Sequence, residues 1–565
     1  MHAAGHLFFP FPVFTTFFFT FLEPVVFPFS PLLFPISISR SFSFLFLRQS
    51  TSTFIPPSHS QQRQVRMHPL LLPELLGLIS GYLPLKEQQR CIQVCWTWNG
   101  HFSPLVWKTC TVDYERHTKQ SPIPTSALHT YAQHIRTLAF QGFVSADHFA
   151  IPCTRLEALK ILDGSSMDFR GFEADIADEV WASLARIVET NPGLTTVEIE
   201  KIPRTPTEVF WKALADHPGI RTLRFDQVRV DNEHLEDFWK ACSGVDVLTL
   251  QRCRIMNSGS NDPADALPTN FRRLQKLNIE NVVQPLPHTQ IELLRHCPQL
   301  TSFYWRGGII HGLARDSLLS ILGSGRLPNL DSMDIMGTNL TDLDTEHIVQ
   351  CMSRVRKLAV YQTNFGPSSL RSLEPHFKSI EELNLLQCPF VTSADIALLL
   401  RSCPLLRVFK AEAIVSDDIK DGEVWPCHER LDTLVLYFDL TLSDHLADCQ
   451  RTFSLLSKLK ALRRLNISRY KTLRGRPIVG DPKNGLQLRL DHGLGQLRTL
   501  RHLMVLYFEG LPQNMTLADA HWMEEQWKAI RVVQGKYNAK NEINREIRSF
   551  FKDTFSGHVP LPPAH

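Results

Sequence analysis

Residues 380–411 read IEELNLLQCPFVTSADIALLLRSCPLLRVFKA, and this stretch contains the pattern that decides the fold. It opens on IEELNL and closes on LRVFKA, which share one order: an apolar residue, two others, an apolar residue, one other, an apolar residue. Between them lies an apolar run that Pro404 ends, because proline cannot continue a helix. The stretch therefore predicts a short strand, a helix and then the next strand.

The same six-residue motif returns along most of the chain, and from residue 194 to residue 431 its steps are 26, 25, 29, 26, 30, 25, 25, 26 and 25. A strand and a helix in a period of this length are typical of leucine-rich repeats. One such repeat cannot bury its apolar face alone, so neighbouring repeats must stack. The motif occurs as IRTLAF at 135, LEALKI at 156, LTTVEI at 194, IRTLRF at 220, VDVLTL at 245, LQKLNI at 274, LTSFYW at 300, LDSMDI at 330, VRKLAV at 355, IEELNL at 380, LRVFKA at 406, LDTLVL at 431, LRRLNI at 462, LRHLMV at 500 and WKAIRV at 527.

The sequence thus predicts an α/β protein whose residues 130–535 form a leucine-rich-repeat solenoid, with a parallel sheet on its concave face and helices on its convex face. After it, residues 536–555 predict a capping helix in which Ile547, Phe550 and Phe551 cover the open end. Residues 556–565 are expected to be a disordered tail.

Residues 1–66 differ from the rest in composition. They contain 15 of the 36 phenylalanines, eight prolines and a single acid, Glu23. The prolines would break a membrane-spanning helix, and no signal peptide stands out. Three interpretations remain open: a targeting or membrane-associating segment, a disordered tail, or translated upstream sequence before a start at Met67. No membrane is expected as a partner unless this segment is real.

Residues 67–112 predict a compact unit of three short helices. About 40 residues bury too little surface to be robust alone, and these are rich in large apolar side chains. With LPELL at 72–76 and YLP at 82–84, the segment resembles an F-box, and the whole chain resembles the F-box/leucine-rich-repeat family. The resemblance rests on these candidate adaptor-binding residues: Leu72, Pro73, Leu75, Leu76, Ile79, Leu83, Val94, Cys95, Trp98, Leu105 and Trp107.

This resemblance implies a substrate-recognition subunit of an SCF-type ubiquitin ligase. The F-box would bind the adaptor subunit that leads to the cullin scaffold, and the repeats would bind an unknown protein substrate. One alternative is that the Leu and Trp residues only pack against the repeats. The chain would then be a protein-interaction scaffold outside any ligase.

Side chains alternate along a strand, so the residues between the apolar motif positions face solvent on the concave side. We expect substrate contacts there, and also at a basic stretch, 449–480, which holds nine Lys or Arg and no acid. Arginines suit phosphate or carboxylate groups because they bind them bidentately. The predicted face carries Glu198, Arg224, Asp226, Asn278, Tyr304, Asp334, Tyr361, Asn384, Lys410, Arg464 and Asn466, and the chosen substrate-binding residues are Arg224, Tyr304, Tyr361, Arg463, Arg464 and Arg469.

The remaining features favour no chemistry in the chain itself. The net charge of +3 gives no reason to expect nucleic acid. The 12 cysteines form no CxxC pair and indicate reduced thiols of a cytoplasmic or nuclear protein. Phosphate-binding loops, metal-binding spacings and nucleophile motifs do not occur, so we expect no enzyme activity, no cofactor and no metal.

Overall fold

The structure is a computed structural model of the chain. It describes residues 72–114, 123–142, 149–162, 174–201, 205–255, 271–283, 287–307, 310, 312–336, 339–440, 444–469 and 484–555. The chain divides into two units at residues 66 and 67, and every described residue belongs to the second unit. The predictions for 1–66 and 556–565 lie outside the described residues.

The first described elements are three helices, called here the three-helix module (residues 73–106). They are α1 Pro73–Tyr82, α2 Leu85–Cys91 and α3 Trp96–Val106. Pro73 stands in the first turn of α1, where its missing N–H costs nothing, and Pro84 separates α1 from α2. The side-chain amide of Gln88 donates to the carbonyls of Ser80 and Leu83, which satisfies the end of α1.

The rest is a leucine-rich-repeat solenoid built on one parallel sheet, which has 16 strands among the described residues. Successive strands pair so that the third residue of one motif lies beside the third residue of the next. Where β14 pairs with β15, the register shifts between Lys410 and Ala413. A separate ladder joins β6 to β8. The strands are β1 Thr109–Tyr114, β2 Thr137–Gly142, β3 Ala158–Leu162, β4 Thr196–Glu200, β5 Thr222–Asp226, β6 Arg229–Val230, β7 Val247–Gln251, β8 Arg254–Ile255, β9 Lys276–Glu280, β10 Ser302–Arg306, β11 Ser332–Ile335, β12 Lys357–Ala359, β13 Glu382–Asn384, β14 Val408–Val415, β15 Thr433–Asp439, β16 Arg464–Asn466, β17 Val505–Phe508 and β18 Val532–Gly535.

Helices cover the other side of the sheet, and the side chains between the two layers form one continuous core. Leu, Ile, Val and Phe at the apolar motif positions fill it, and most are 0–1% exposed. Each repeat therefore shares its apolar surface with both neighbours. The helices are α4 Thr125–Tyr131, α5 Ala174–Glu189, α6 Glu208–Asp216, α7 Leu235–Ser243, α8 Pro287–Glu292, α9 Leu313–Gly323, α10 Asp342–Cys351, α11 Pro367–Leu373, α12 Ser393–Ser402, α13 His445–Leu456, α14 Leu517–Gln526 and α15 Asn541–Phe555.

The sheet begins before residue 130, where the repeats were expected to start. Strand β1 pairs in parallel with β2 from Thr109 onwards. Residues 107–112 read WKTCTV and fit the motif, with Trp107 at its first position. This repeat escaped the sequence analysis because Cys110 takes the fourth motif position, where Leu is usual.

The last two motifs lie three residues later than predicted. Val505 pairs with Arg464, so the motif is LMVLYF from 503 rather than LRHLMV from 500. Likewise Val532 pairs with Val505, which makes the final motif IRVVQG from 530. Leu500 and Trp527 are instead the buried turn residues that precede each strand, and their carbonyls accept from Leu503 and Ile530.

The end of the described chain is covered by α15. Ile547 and Phe551 are buried in the common core, and Phe550 lies against His521 of α14 with ring centroids 4.5 Å apart.

All 12 cysteines are free thiols, and burial raises the pKa of Cys297 to about 12. Among the described residues, no helix combines the length and apolar character needed to cross a membrane.

Candidate functional site

The solvent-facing side chains of the strands form a continuous polar surface, called here the strand face. Alternating burial in β3, β4 and β10 places every second side chain on it. All the side chains predicted there are half-buried, except Asp226. That carboxylate is 4% exposed and accepts two hydrogen bonds from Arg252, so the expectation that it faces solvent is wrong.

On the first half of the strand face, charged and polar side chains pair with one another. Lys160 donates to Glu198 at 3.0 Å, and Arg224 donates to Gln251 at 3.0 Å while lying 3.8 Å from Glu200. Arg224, predicted to contact a substrate, is therefore already held by its neighbours.

The second half of the strand face contains a cavity of about 310 Å³, called here the inner cavity. Arg306, Lys410 and Arg464 line it, and no acidic residue among the described ones does. The remaining lining residues are polar or apolar, namely Met336, Tyr361, Asn384, Leu386, Gln387, Thr433, Val435, Leu465, Asn466 and Tyr507.

Curvature of the sheet brings these residues together. Arg306 ends β10 and Arg464 begins β16, six strands along the sheet. On a flat sheet with strands about 4.8 Å apart they would be separated by about 29 Å, too far to line one small cavity. The sheet therefore curves towards the strand face, as predicted for a solenoid with a concave sheet.

The cations of the inner cavity are partly buried, and they repel one another. Burial lowers the pKa of Lys410, as do Arg306 and Arg464, while Asp334 acts in the opposite direction. Arg464 makes no ion pair with any described residue. Three cations therefore lie together in this lining, and no acid from the described residues lines the cavity with them.

A second cavity adjoins the first and differs from it in charge. Its volume is about 250 Å³, and Arg306, Asn384 and Lys410 line both. It also contains Asp334 and the ion-paired Lys357 and Glu382. The charged side chains of the inner cavity are therefore all cationic, whereas those of the second cavity have both signs.

Tyr304 and Tyr361 both belong to this region. Arg306 lies over the ring of Tyr304, with its guanidinium carbon 4.6 Å from the ring centroid, and Tyr304 lines the second cavity. Tyr361 lines the inner cavity. Burial raises the pKa of each phenol, so both remain neutral hydrogen-bonding groups.

The basic stretch 449–480 does not form a single patch. Arg464 faces the inner cavity, whereas the adjacent Arg463 is exposed and lies 3.5 Å from Asp432 at another edge of the repeat. Arg469 follows β16, and its backbone N–H donates to Glu509. Lys471, Arg474 and Arg476 lie outside the described residues.

The three-helix module exposes large apolar side chains to an unusual degree for about 35 residues. Trp96 is 91% exposed and Tyr82 is 88% exposed. Large exposed apolar patches mark surfaces that bind a partner. The exposed set is Leu78, Tyr82, Leu85, Val94, Trp96 and Leu105.

Most of the predicted adaptor-binding residues are accessible. Pro73, Val94, Cys95 and Leu105 are exposed, while Leu72, Leu75, Ile79, Leu83 and Trp98 are half-buried. Two residues differ.

Leu76 is 1% exposed and holds the helices of the module together. Trp107 opens the first repeat and stacks on Tyr131, with ring centroids 4.5 Å apart. Leu76 is therefore a packing residue, while Trp107 is half-buried and packs through its ring on Tyr131.

Several residues of these two surfaces were missed. Leu78, Leu85 and Trp96 belong to three different helices, and they fall outside the motif positions used to choose contacts. Tyr507 was missed because the motif from 500 was placed three residues early; in the corrected register it pairs with Asn466. Met336 and Leu386 were passed over as apolar residues beyond their motifs.

Among the described residues, no group of three or more His, Cys, Asp or Glu is arranged to hold a metal ion.

No protein-family model and no curated protein matches the chain. The solved structures that are similar to it include the following two. A leucine-rich-repeat protein of Leptospira interrogans is 14% identical, with a TM-score of 0.29 over 74% of this chain and 84% of that one. The yeast Rad7 and Elc1 complex gives 15% identity and a TM-score of 0.38 over 68% of this chain and 96% of that one. Likenesses this distant say nothing about what the chain binds.

Proposed function

We propose that this chain is the substrate-recognition subunit of an SCF-type ubiquitin ligase. The three-helix module is then an F-box that binds the adaptor subunit and, through it, the cullin scaffold. The strand face of the solenoid binds a protein substrate. The ubiquitin-transfer chemistry belongs to other subunits, and this chain needs no cofactor.

The observation that carries the proposal is the exposed apolar surface of the module. Tyr82 and Trp96 stand almost fully in solvent within a segment whose sequence, from LPELL to Trp98, follows the F-box pattern. Burying aromatic side chains of this size at an interface contributes about 2–4 kcal/mol each when they are hot spots. The solenoid offers the opposite kind of surface, polar and curved, which suits specific recognition of one client.

The arrangement also explains how a non-catalytic chain would accelerate ubiquitination. A solenoid stiffened by one continuous core would hold a bound client in a fixed place on the strand face. Fixed placement raises the effective concentration of the client's lysines near the conjugating enzyme, which a flexible tether would dilute.

Point substitutions test this better than deleting the module, because α3 runs directly through Trp107 into β1, the first strand of the sheet. The full chain is expressed with Tyr82→Lys and Trp96→Glu together, and co-purified adaptor and cullin are quantified. The matched control is Leu343→Glu, since Leu343 is an exposed (67%) leucine of the solenoid.

We expect the double variant to lose adaptor and cullin while the control retains both. The proposal is wrong if wild-type chain brings down no adaptor, or if the double variant brings down as much as the control. The latter outcome would favour a binding scaffold that works outside any ligase.

A further inference from the structure

The inner cavity combines features of an anion-binding site. Its lining carries three cations, Arg306, Lys410 and Arg464, and no carboxylate from the described residues. The Nε of Arg306 is buried without a hydrogen-bond acceptor. A buried donor without a partner costs free energy, which an anionic ligand would recover. Side chains of Asn384, Asn466 and Tyr507 add neutral hydrogen-bonding groups.

We infer that the inner cavity binds a phosphorylated serine or threonine in a segment of the client protein. The inference rests on the proposed function, and it names the substrate class that the strand face recognises. The phosphate would lie among Arg306, Lys410 and Arg464, with Asn466 beside it.

Charge favours phosphate over a single carboxylate. The lining carries three cations, and the carboxylate of Asp334 lies beside two of them, Arg306 and Lys410. A phosphate monoester carries about −1.5 to −2 near pH 7, whereas a carboxylate carries one negative charge. Arginines also bind phosphate oxygens bidentately, and two of the three cations are arginines.

The second cavity favours a protein segment over a small soluble phosphate. It shares Arg306, Asn384 and Lys410 with the inner cavity and continues along the strand face with mixed charge at Lys357 and Glu382. Met336, Leu386 and Val435 add an apolar side to the inner cavity. A chain with a phosphate, an apolar neighbour and polar residues beyond it would occupy both cavities, while a small anion fills one.

The test uses the full chain and a degenerate peptide library with a fixed central phosphoserine or phosphothreonine, next to the same library without phosphate. Sequences retained by the wild-type chain are resynthesised and titrated by fluorescence anisotropy. Arg464→Gln and Lys410→Gln remove cavity cations. Arg463→Gln is the matched control, because Arg463 is the adjacent arginine but lies exposed beside Asp432.

We expect phosphorylated peptides to be retained preferentially, and each cavity variant to lower their affinity about tenfold or more, with the control unchanged. Equal retention of the two libraries would overturn the inference, as would equal loss of affinity in Arg463→Gln and Arg464→Gln. The inference would also be overturned if the chain retained inorganic pyrophosphate but no phosphopeptide, and if Arg464→Gln reduced the retention of pyrophosphate. The cavity would then bind a small anion.

Adaptor co-purification is measured on the same Arg464→Gln protein and should be unchanged. If the wild-type chain retains phosphopeptides through Arg464 but no adaptor, the ligase proposal fails and the phosphate site stands. If it retains the adaptor but no phosphopeptide, only the phosphate site fails.

Discussion

Arg306 and Asp334 form an ion pair across β10 and β11, with 3.6 Å between a guanidinium nitrogen and a carboxylate oxygen. The pair is imperfect, since one carboxylate oxygen of Asp334 is buried without a hydrogen-bond donor. Burial outweighs the attraction of Arg306 and Lys410 and raises the pKa of Asp334 to about 6. The protonation of Asp334 therefore changes the charge of the second cavity, which adjoins the inner cavity.

Asp334→Asn should make the repeats around β11 more stable at neutral pH. A raised pKa means that the folded state holds the proton more tightly, so this group stabilises the fold below about pH 4 and loses that contribution as the pH rises through about 6. The variant should gain roughly 1–3 kcal/mol at about pH 7.5 and nothing near pH 4. Hydrogen exchange of the β10 and β11 amides at both pH values measures it. A loss of protection at pH 7.5 would show that the ion pair outweighs burial.

Asn191→Ala should destabilise the early repeats. Asn191 is 0% exposed; its Oδ1 accepts from the Leu156 N–H at 2.8 Å, and its Nδ2 donates to the carbonyls of Cys153 and Ile187. Alanine would leave these groups buried and unpaired, at a cost of roughly 2–4 kcal/mol. Urea denaturation followed by tryptophan fluorescence reports it. Exposed Glu189→Ala is the control, and equal midpoints for the two variants would contradict the prediction.

Asp342→Ala should weaken the contact between two repeats in a pH-dependent way. Its carboxylate accepts from the backbone N–H groups of Gly366, Ser368 and Ser369 at 2.8–3.0 Å, at the start of α11. Burial alone would raise the pKa of Asp342, but these hydrogen bonds and the Ser369 hydroxyl outweigh it and hold the pKa below its usual value.

A lowered pKa stabilises the fold above the unfolded value near pH 4, and this contribution is lost as the pH falls through the folded value. The variant should therefore lose about 1–2 kcal/mol at neutral pH and progressively less in acid. Thermal unfolding across this pH range tests it; a penalty independent of pH would mean that the carboxylate charge is not responsible.

Leu76 and Trp96 should separate stability from binding in the three-helix module. Leu76→Ala leaves a cavity in a small core and should destabilise the module by about 2–4 kcal/mol. Trp96→Ala changes a side chain that is 91% exposed, so unfolding should shift by less than about 0.5 kcal/mol. Local stability is read by limited proteolysis between α1 and α3. Protection in Leu76→Ala equal to that in Trp96→Ala would place Leu76 at the surface.

The repeats were predictable because each strand presents the same apolar pattern to the same core. From 194 to 462 every predicted motif has its strand two residues after its first position, as at Thr196 and Thr222. The prediction of motif positions failed in two situations. At WKTCTV the composition of the motif differs, and at Leu500 and Trp527 an apolar turn residue was taken for the first motif position. There only the pairing of strands decides the register.

The inner cavity was only partly predictable. Alternation along strands placed Tyr361, Lys410 and Arg464 on one face, but the closeness of Arg306 to Arg464 depends on curvature, which a single repeat does not encode. The separation of Arg463 from Arg464 follows from alternation as well, yet their shared basic stretch had suggested a joint role. Exposure in the three-helix module, by contrast, depends on which face the repeats leave uncovered.

The most direct test of the ligase proposal is the affinity of the purified adaptor subunit for the purified full chain, measured by isothermal titration calorimetry. Three chains are compared: the wild type, the double variant with Tyr82→Lys and Trp96→Glu, and Arg464→Gln. The account predicts that wild type and Arg464→Gln bind with the same affinity and that the double variant binds at least about 100-fold more weakly. Equal affinity for all three chains, or no binding by wild type, would contradict it.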